Sequence, residues 1–261
     1  MFLIFCSLFF VWSKQFNAFY TSPPIQQEIT SWSLHILFAN LQKDNTKYTE
    51  LEKIISEKDP DVLMFVEFAD HHYEHLKDFL KTNYPYTNNI SRSRTFVDSM
   101  VFSKYPINNK ADDFSQWAWR YGYFSLYHNG ENINFYLLHT SSPDNYSHFT
   151  MRNEQLQKFV DDFNIHESQS IHKNIVVVGD FNITPWSSYY TILEDVFSGK
   201  MTNITKYIPF LFTRKLFALP FVQAHIDHLW ITPTLTILSI EKIFIPGSDH
   251  KWFLFDIQYN K

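Results

Sequence analysis

The sequence predicts an α/β fold of the mixed α+β kind, and three observations lead there. Short apolar runs rich in β-branched and aromatic residues, such as 175–178, break off at polar residues and read as buried strands. Stretches with apolar residues at helical spacing separate several of these runs. Asn129-Gly130 between two apolar runs marks a tight hairpin, so antiparallel strands are present.

In chain order, Leu34, Ile36 and Phe38 alternate with His35, Leu37 and Ala39 in a strand ending at Asn40. Tyr48, Leu51, Ile54 and Ile55 define one face of a helix, which Asp59-Pro60 stops. Residues 61–67 form a second buried strand closing on Glu67, and 69–81 a helix. His71 and His75 lie one turn apart on that helix beside Glu74; the zincin spacing is absent, so they read as a solvated face. Residues 95–103 read as a strand, and 107–119 as a loop carrying Trp117 and Trp119 into Arg120.

The hairpin strands are 121–127 and 133–138, and the second runs into His139. A helix over 148–165 turns Met151, Leu156, Phe159, Val160 and Phe163 to the core, with Arg152 and Asn153 near its start. The strand 175–178 breaks at Gly179, and Asp180 and Asn182, two apart on extended backbone, leave on the same side. A short helix spans 187–197; the aromatic stretch 198–222 has no period. Residues 223–231 read as a strand with Asp227 in its middle, and 235–245 as another. Pro246-Gly247 turns the chain into Ser248-Asp249-His250 before a closing strand over 252–257.

At 261 residues, 45% hydrophobic and 19% aromatic, the chain supports one large domain with a thick core. We divide it into an apolar segment and linker, 1–24, and a folded domain, 25–261. The net charge of −5 lacks the basic footprint of a tight non-specific nucleic-acid binder. Cys6 is the only cysteine, which excludes an internal disulfide or a cysteine-based zinc site. Residues 1–12 are almost wholly apolar but shorter than the ~20 that span a bilayer. They have the length of a signal-peptide core without its basic leader, and we read them as membrane-associated or exported. A buried strand, and with it a cytoplasmic location, is the alternative. The sequons at Asn89, Asn145, Asn182 and Asn203 read as accidental, since one falls among the candidate site residues.

Polar groups thus recur at the ends of apolar strands: Asn40, Glu67, His139, Asp180 with Asn182, and Asp249 with His250. A carboxylate leaving a buried strand needs solvent, a hydrogen bond or a cation. A carboxylate such as Asp227, among apolar neighbours, needs a partner, for which an imidazolium is suited.

The ordered set Asn40, Asp-Val-Leu-Met-Phe-Val-Glu67, His139-Thr, Gly-Asp-Phe-Asn182, Ile-Asp-His228 and Ser-Asp-His250 resembles the endonuclease/exonuclease/phosphatase superfamily, over nearly all of 32–258. A histidine at 139 is similar to the deoxyribonuclease I and sphingomyelinase type. Gly-Asp-Phe-Asn-Ile-Thr-Pro-Trp-Ser behind an apolar N-terminal segment resembles bacterial members with a membrane segment. The resemblance implies a deoxyribonuclease I-like four-layer sandwich, two mostly antiparallel sheets flanked by helices. It implies phosphate-ester hydrolysis by water with Mg²⁺ or Mn²⁺, the substrate a nucleic acid or a phospholipid; a monomer is our own expectation. On that basis Glu67, Asn40 and Asp249 hold the metal, and His139, Asp180, Asn182, Asp227 and His250 carry the chemistry. His250, oriented by Asp227, is the expected base, with the two histidines open to exchange. Arg152, Trp119 and Arg120 are the expected substrate contacts. The alternatives are a DNA endonuclease or exonuclease, a sphingomyelin or phosphoinositide phosphodiesterase, and a non-catalytic membrane-tethered binding module.

Overall fold

The computed structural model describes residues 33–87, 99–108, 120–169, 174–208, 212–215, 223–244 and 246–260. The segment 1–24, Trp117 and Trp119 lie outside them. The elements in order are β1 (Leu34–Asn40), α1 (Tyr48–Lys58), β2 (Val62–Val66), α2 (Asp70–Asn83), β3 (Tyr86–Thr87), β4 (Ser99–Ser103), β5 (Ile107–Asn108), β6 (Tyr121–His128) and β7 (Glu131–His139). There follow α3 (Tyr146–Gln169), β8 (Ile175–Asp180), α4 (Tyr190–Phe197), β9 (Thr202–Asn203), β10 (Arg214–Lys215), β11 (Gln223–Ala224), β12 (Asp227–Ile231), β13 (Leu235–Phe244) and β14 (Lys251–Tyr259).

Two six-stranded sheets form, ordered β13-β14-β1-β2-β4-β3 and β5-β6-β7-β8-β12-β9. Each holds one parallel pair among antiparallel ones: β1 with β2, and β7 with β8. A parallel pair needs a long crossover, and α1 and α3 supply it. The sandwich is therefore built from two similar halves. The hairpin between β6 and β7 turns at Asn129 (φ 53°) and Gly130 (φ 90°), the left-handed pair a two-residue type I′ turn requires.

Strand alternation makes the layers. Leu34, Ile36 and Phe38 of β1 join Phe135, Leu137, Val176 and Val178 in the core between the sheets. Leu37 and Ala39 face the other way, onto Leu51 and Ile55 of α1 and Leu76 and Leu80 of α2. On the far side Tyr136, Leu138 and Val177 pack against Phe159 and Phe163 of α3 and Leu193 and Phe197 of α4. Every central strand is apolar on both faces because both are covered, which explains the near-continuous hydrophobic runs. Gly179 lets β8 close on β7: a Cβ there would lie 2.0 Å from the Leu138 carbonyl oxygen.

Some expectations change. Helix α3 begins at Tyr146, and Met151 is 44% exposed instead of in the core. Asp227 is the first residue of β12, not mid-strand, because Ile226 carries the chain from β11 into a different sheet. Asn182 and Asn203 are buried, so those two sequons present no accessible amide. No helix among the described residues is long and apolar enough to cross a membrane.

Candidate active site

The two parallel pairs end side by side at one edge of the sandwich. Asn40 is the last residue of β1, and Glu67 follows β2. His139 and Asp180 end β7 and β8 and are paired in register. The antiparallel neighbours begin at the same edge. Asp227 opens β12 opposite Asp180, and His250 immediately precedes β14. Catalytic groups on the ends of rigid strands are held more firmly than groups on free loops.

Hydrogen bonds fix their orientation. Asn40 Oδ1 accepts from the Gln42 amide at 2.9 Å. That N–H can only donate, so the Asn40 amide nitrogen faces the site, where it donates to Glu67 Oε1 at 3.0 Å and Asp180 Oδ2 at 3.1 Å. Asn40 thus ties two carboxylates together, with its oxygen already engaged. Glu67 Oε2 accepts from the Lys43 amide at 2.9 Å, and His139 Nε2 lies 3.7 Å from Glu67 Oε1. The Asn182 amide donates to Asp180 Oδ1 at 2.9 Å and its side-chain nitrogen to the Thr140 carbonyl at 2.9 Å, while Asn182 Oδ1 is buried with no partner in the protein.

Behind these lies a buried triad. His250 Nδ1 is 3.0 Å from Asp227 Oδ2, and its Nε2 is 3.6 Å from Asp180 Oδ2. Burial opposes the imidazolium, but the charges of Asp227 and Asp180 and the Asp227 hydrogen bond outweigh it and hold His250 up at about 9. Burial and then the Asp227 charge raise Asp180 to about 6, against the pull of His250 and His139. Two neighbouring carboxylates therefore share one site with limited compensation.

The backbone is strained at the same place. Of the six non-glycine residues with positive φ among the described residues, four belong to this edge: Gln42 (61°), Glu67 (55°), Arg120 (67°) and Asn182 (48°). Such conformations cost about 1–3 kcal/mol each and persist where the surroundings over-determine them.

A pocket of about 550 Å³ opens over the site. Glu67, His139, Asp180 and Asn182 lie on its wall, with the cations Lys43, Arg120 and Arg214 and, at the rim, His148 and Met151. Asp227 and His250 sit behind the wall, 0% and 2% exposed. Arg152 is 4% exposed; its Nη1 donates to the Asn182 carbonyl at 2.8 Å, so it braces the chain after β8 from within instead of reaching the pocket. Asp249 Oδ2 accepts from Arg214 Nε at 3.1 Å, and its amide donates to Gln42 Oε1. His71 and His75 do not converge on a metal: His71 is bonded to Tyr48 and the Lys43 carbonyl, and His75 to the His71 carbonyl.

Lys43, Gln42 and Arg214 escape the sequence reading. The first two lie in the polar loop just past Asn40, which signals only a turn. Arg214 lies in the stretch without period, where no pattern singles it out.

The donor set fits a hard divalent cation. Glu67, Asp180 and Asn182, whose side-chain oxygen has no protein partner, line the same open pocket, which leaves room for an ion that keeps several waters. Ligand atoms of Asp180, Asp227 and His250 also lie within 4.8 Å of one another. Of that trio only Asp180 reaches the pocket wall, and Asp227 and His250 are engaged with each other behind it, so the Glu67 side suits a hydrated ion better.

A family model described as the endonuclease/exonuclease/phosphatase family matches residues 31–250. No curated protein matches the sequence. Among solved structures, TDP2 from D. rerio complexed with a single-strand DNA product is 13% identical with a TM-score of 0.62, covering 87% of this chain and 99% of that one. A β toxin variant from Staphylococcus aureus with bound magnesium ions is 16% identical with a TM-score of 0.57, covering 88% and 100%. Sphingomyelinase C from Streptomyces griseocarneus is 15% identical with a TM-score of 0.57, covering 87% and 99%. These likenesses carry the fold, and the family match extends over most of the chain, from just before β1 to His250. The chain belongs to the endonuclease/exonuclease/phosphatase family, and is a hydrolase of phosphate esters.

Proposed function

We propose that the protein hydrolyses a phosphodiester with Mg²⁺ or Mn²⁺, the ion held by Glu67 with Asp180, Asn182 and Asp249 within reach. The observation that carries this reading is the pair of neighbouring carboxylates, Asp180 and Asp227, beside an open pocket that Glu67 also faces. When bound, the cation supplies positive charge to the phosphate oxygens and competes with the imidazolium for the carboxylates, which lowers the His250 pKa.

The side chains then divide the work. Asp227 holds His250 in one tautomer, with Nε2 turned toward Asp180. His250, once neutral, takes a proton from the attacking water. Asp180 and Asn182 orient that water. His139 donates to a non-bridging or leaving oxygen. Arg120 and Lys43 add charge at the pocket wall. Asn40 and Arg152 act as positioning residues.

A second reading rests on one observation. His250 Nε2 lies 3.6 Å from Asp180 Oδ2, so the two can take the parts of acid and base in the reverse order. Asp180 then accepts the water's proton and His250 donates.

For the substrate, the apolar run 1–12 and the net charge of −5 favour a phospholipid over nucleic acid. The test is Mg²⁺-dependent turnover of sphingomyelin, phosphoinositides, plasmid DNA and abasic-site DNA by the full chain. Preference for a lipid supports the reading, and preference for DNA replaces it with a nuclease.

A further inference from the structure

Arg214 stands on a strand stitched between the two halves of the buried triad. Thr213, wholly buried, donates its amide to the Ala224 carbonyl at 2.9 Å, and its Oγ1 accepts from the amides of Ile226 and Asp227, each at 3.2 Å. On the other side the Lys251 amide donates to the Thr213 carbonyl at 2.7 Å, and the Lys215 amide to the Asp249 carbonyl at 2.9 Å. Arg214 itself bridges to His250. The short β10 thus joins the lead into β12 to the lead into β14. The root of the Arg214 side chain is fixed at the site's edge.

The guanidinium is only partly used. Among the described residues its one hydrogen bond runs from Nε to Asp249 Oδ2, and its two terminal amino groups have no protein acceptor. Arginine–carboxylate pairs are frequently bidentate, joined by two parallel bonds. Here a single bond steers the plane, and the side chain, 29% exposed, lies on the pocket wall with Asp180, Glu67 and His139. Its charge is favoured by Asp249, Asp180 and Glu67, which outweigh the burial that opposes it.

We infer that Arg214 is a phosphate-binding residue of this pocket, its two free amino groups taking non-bridging oxygens of the scissile phosphate; the inference rests on the phosphoesterase reading. A guanidinium fork matches two oxygens of a phosphate, and an ammonium does not. Asp249 holds the fork in its working orientation. The pocket then binds the phosphate from the β10 side as well as from the Glu67 side.

The test is inorganic phosphate binding by calorimetry at saturating Mg²⁺, on the full chain, for the wild type, R214Q and R214K. R214Q weakens phosphate at least about tenfold, and R214K falls between, because a charge-assisted pair is lost in one and its geometry in the other. The Mg²⁺ midpoint stays within about threefold, since Arg214 is not a ligand. Phosphate affinity equal to wild type in both variants overturns the inference. So does a shifted Mg²⁺ midpoint with unchanged phosphate affinity, which makes Arg214 a support for Asp249 alone. If R214Q does not fold, R214K, which keeps the charge opposite Asp249, decides by the same comparison. Binding is read without turnover. A wild type that binds phosphate but cleaves nothing refutes the phosphoesterase reading while still reporting on Arg214.

Discussion

The Asn40 side-chain nitrogen donates to Asp180 Oδ2 at 3.1 Å, a bond that joins the two sheets at the site. The same nitrogen donates to Glu67, while the oxygen accepts from Gln42. Asn40→Ala leaves two carboxylates and one amide without their partner. We expect a stability loss of about 1–3 kcal/mol by urea unfolding, with turnover lowered as well. Asn40→Asp is worse in both, because it sets a third carboxylate against Glu67 and Asp180. Unchanged stability in both variants would show that the bond contributes nothing.

Glu67 holds a left-handed backbone (φ 55°) that glycine adopts without cost. Glu67→Gly and Glu67→Ala both remove the carboxylate, and both should abolish metal-dependent turnover. They should differ in stability, the glycine variant being more stable by about 1 kcal/mol, as the αL penalty for a Cβ requires. Equal denaturation midpoints would mean that the strain is not there to relieve.

In the metal-free protein the His250 ring should titrate near 9 by NMR. Asp227→Asn removes the largest of the carboxylate contributions, so the ring's value should drop. Titration of His250 in the ordinary histidine range in the wild type would remove the basis for Asp227 as its partner.

Away from the site, His35 on β1 is bonded to Asp256 on β14. That bond raises the His35 pKa; burial works against the Asp256 charge, but the bonds from His35 and Ser239 hold its pKa down. The sign follows from linkage. The His35 contribution is complete below the unfolded-histidine value and fades as pH rises through the raised one. The Asp256 contribution is present above the unfolded-carboxylate value and fades as pH falls through the lowered one. His35→Gln should therefore cost most between the two unfolded values, on the order of 1 kcal/mol for a half-buried pair. The deficit should shrink at alkaline pH. A deficit independent of pH would assign it to lost packing instead.

The strand ends were legible because a buried apolar run that breaks off at one acid or amide has few physical explanations, and Glu67, His139 and Asp180 each follow such a run. Layering was legible because both strand faces are apolar. Asn40 was found, but not the direction of its amide, which the Gln42 N–H decides. Asp227 sat mid-strand in the sequence because 223–231 reads as one apolar run, whereas the chain changes sheets at its centre. Arg152 has the composition of a substrate contact, and its burial against the Asn182 carbonyl is visible only in the structure. Arg214 had no signal at all, since its strand is two residues long and its meaning lies in what it joins.

The most direct measurement is hydrolysis of bis-p-nitrophenyl phosphate by the full chain stripped of metal, before and after adding Mg²⁺ or Mn²⁺, with Asp180→Ala and His250→Ala alongside. The predicted result is no turnover without metal, turnover with it, and a loss of at least about a hundredfold in each variant. Turnover that survives chelation, or metal-dependent turnover that both variants retain, would contradict the account.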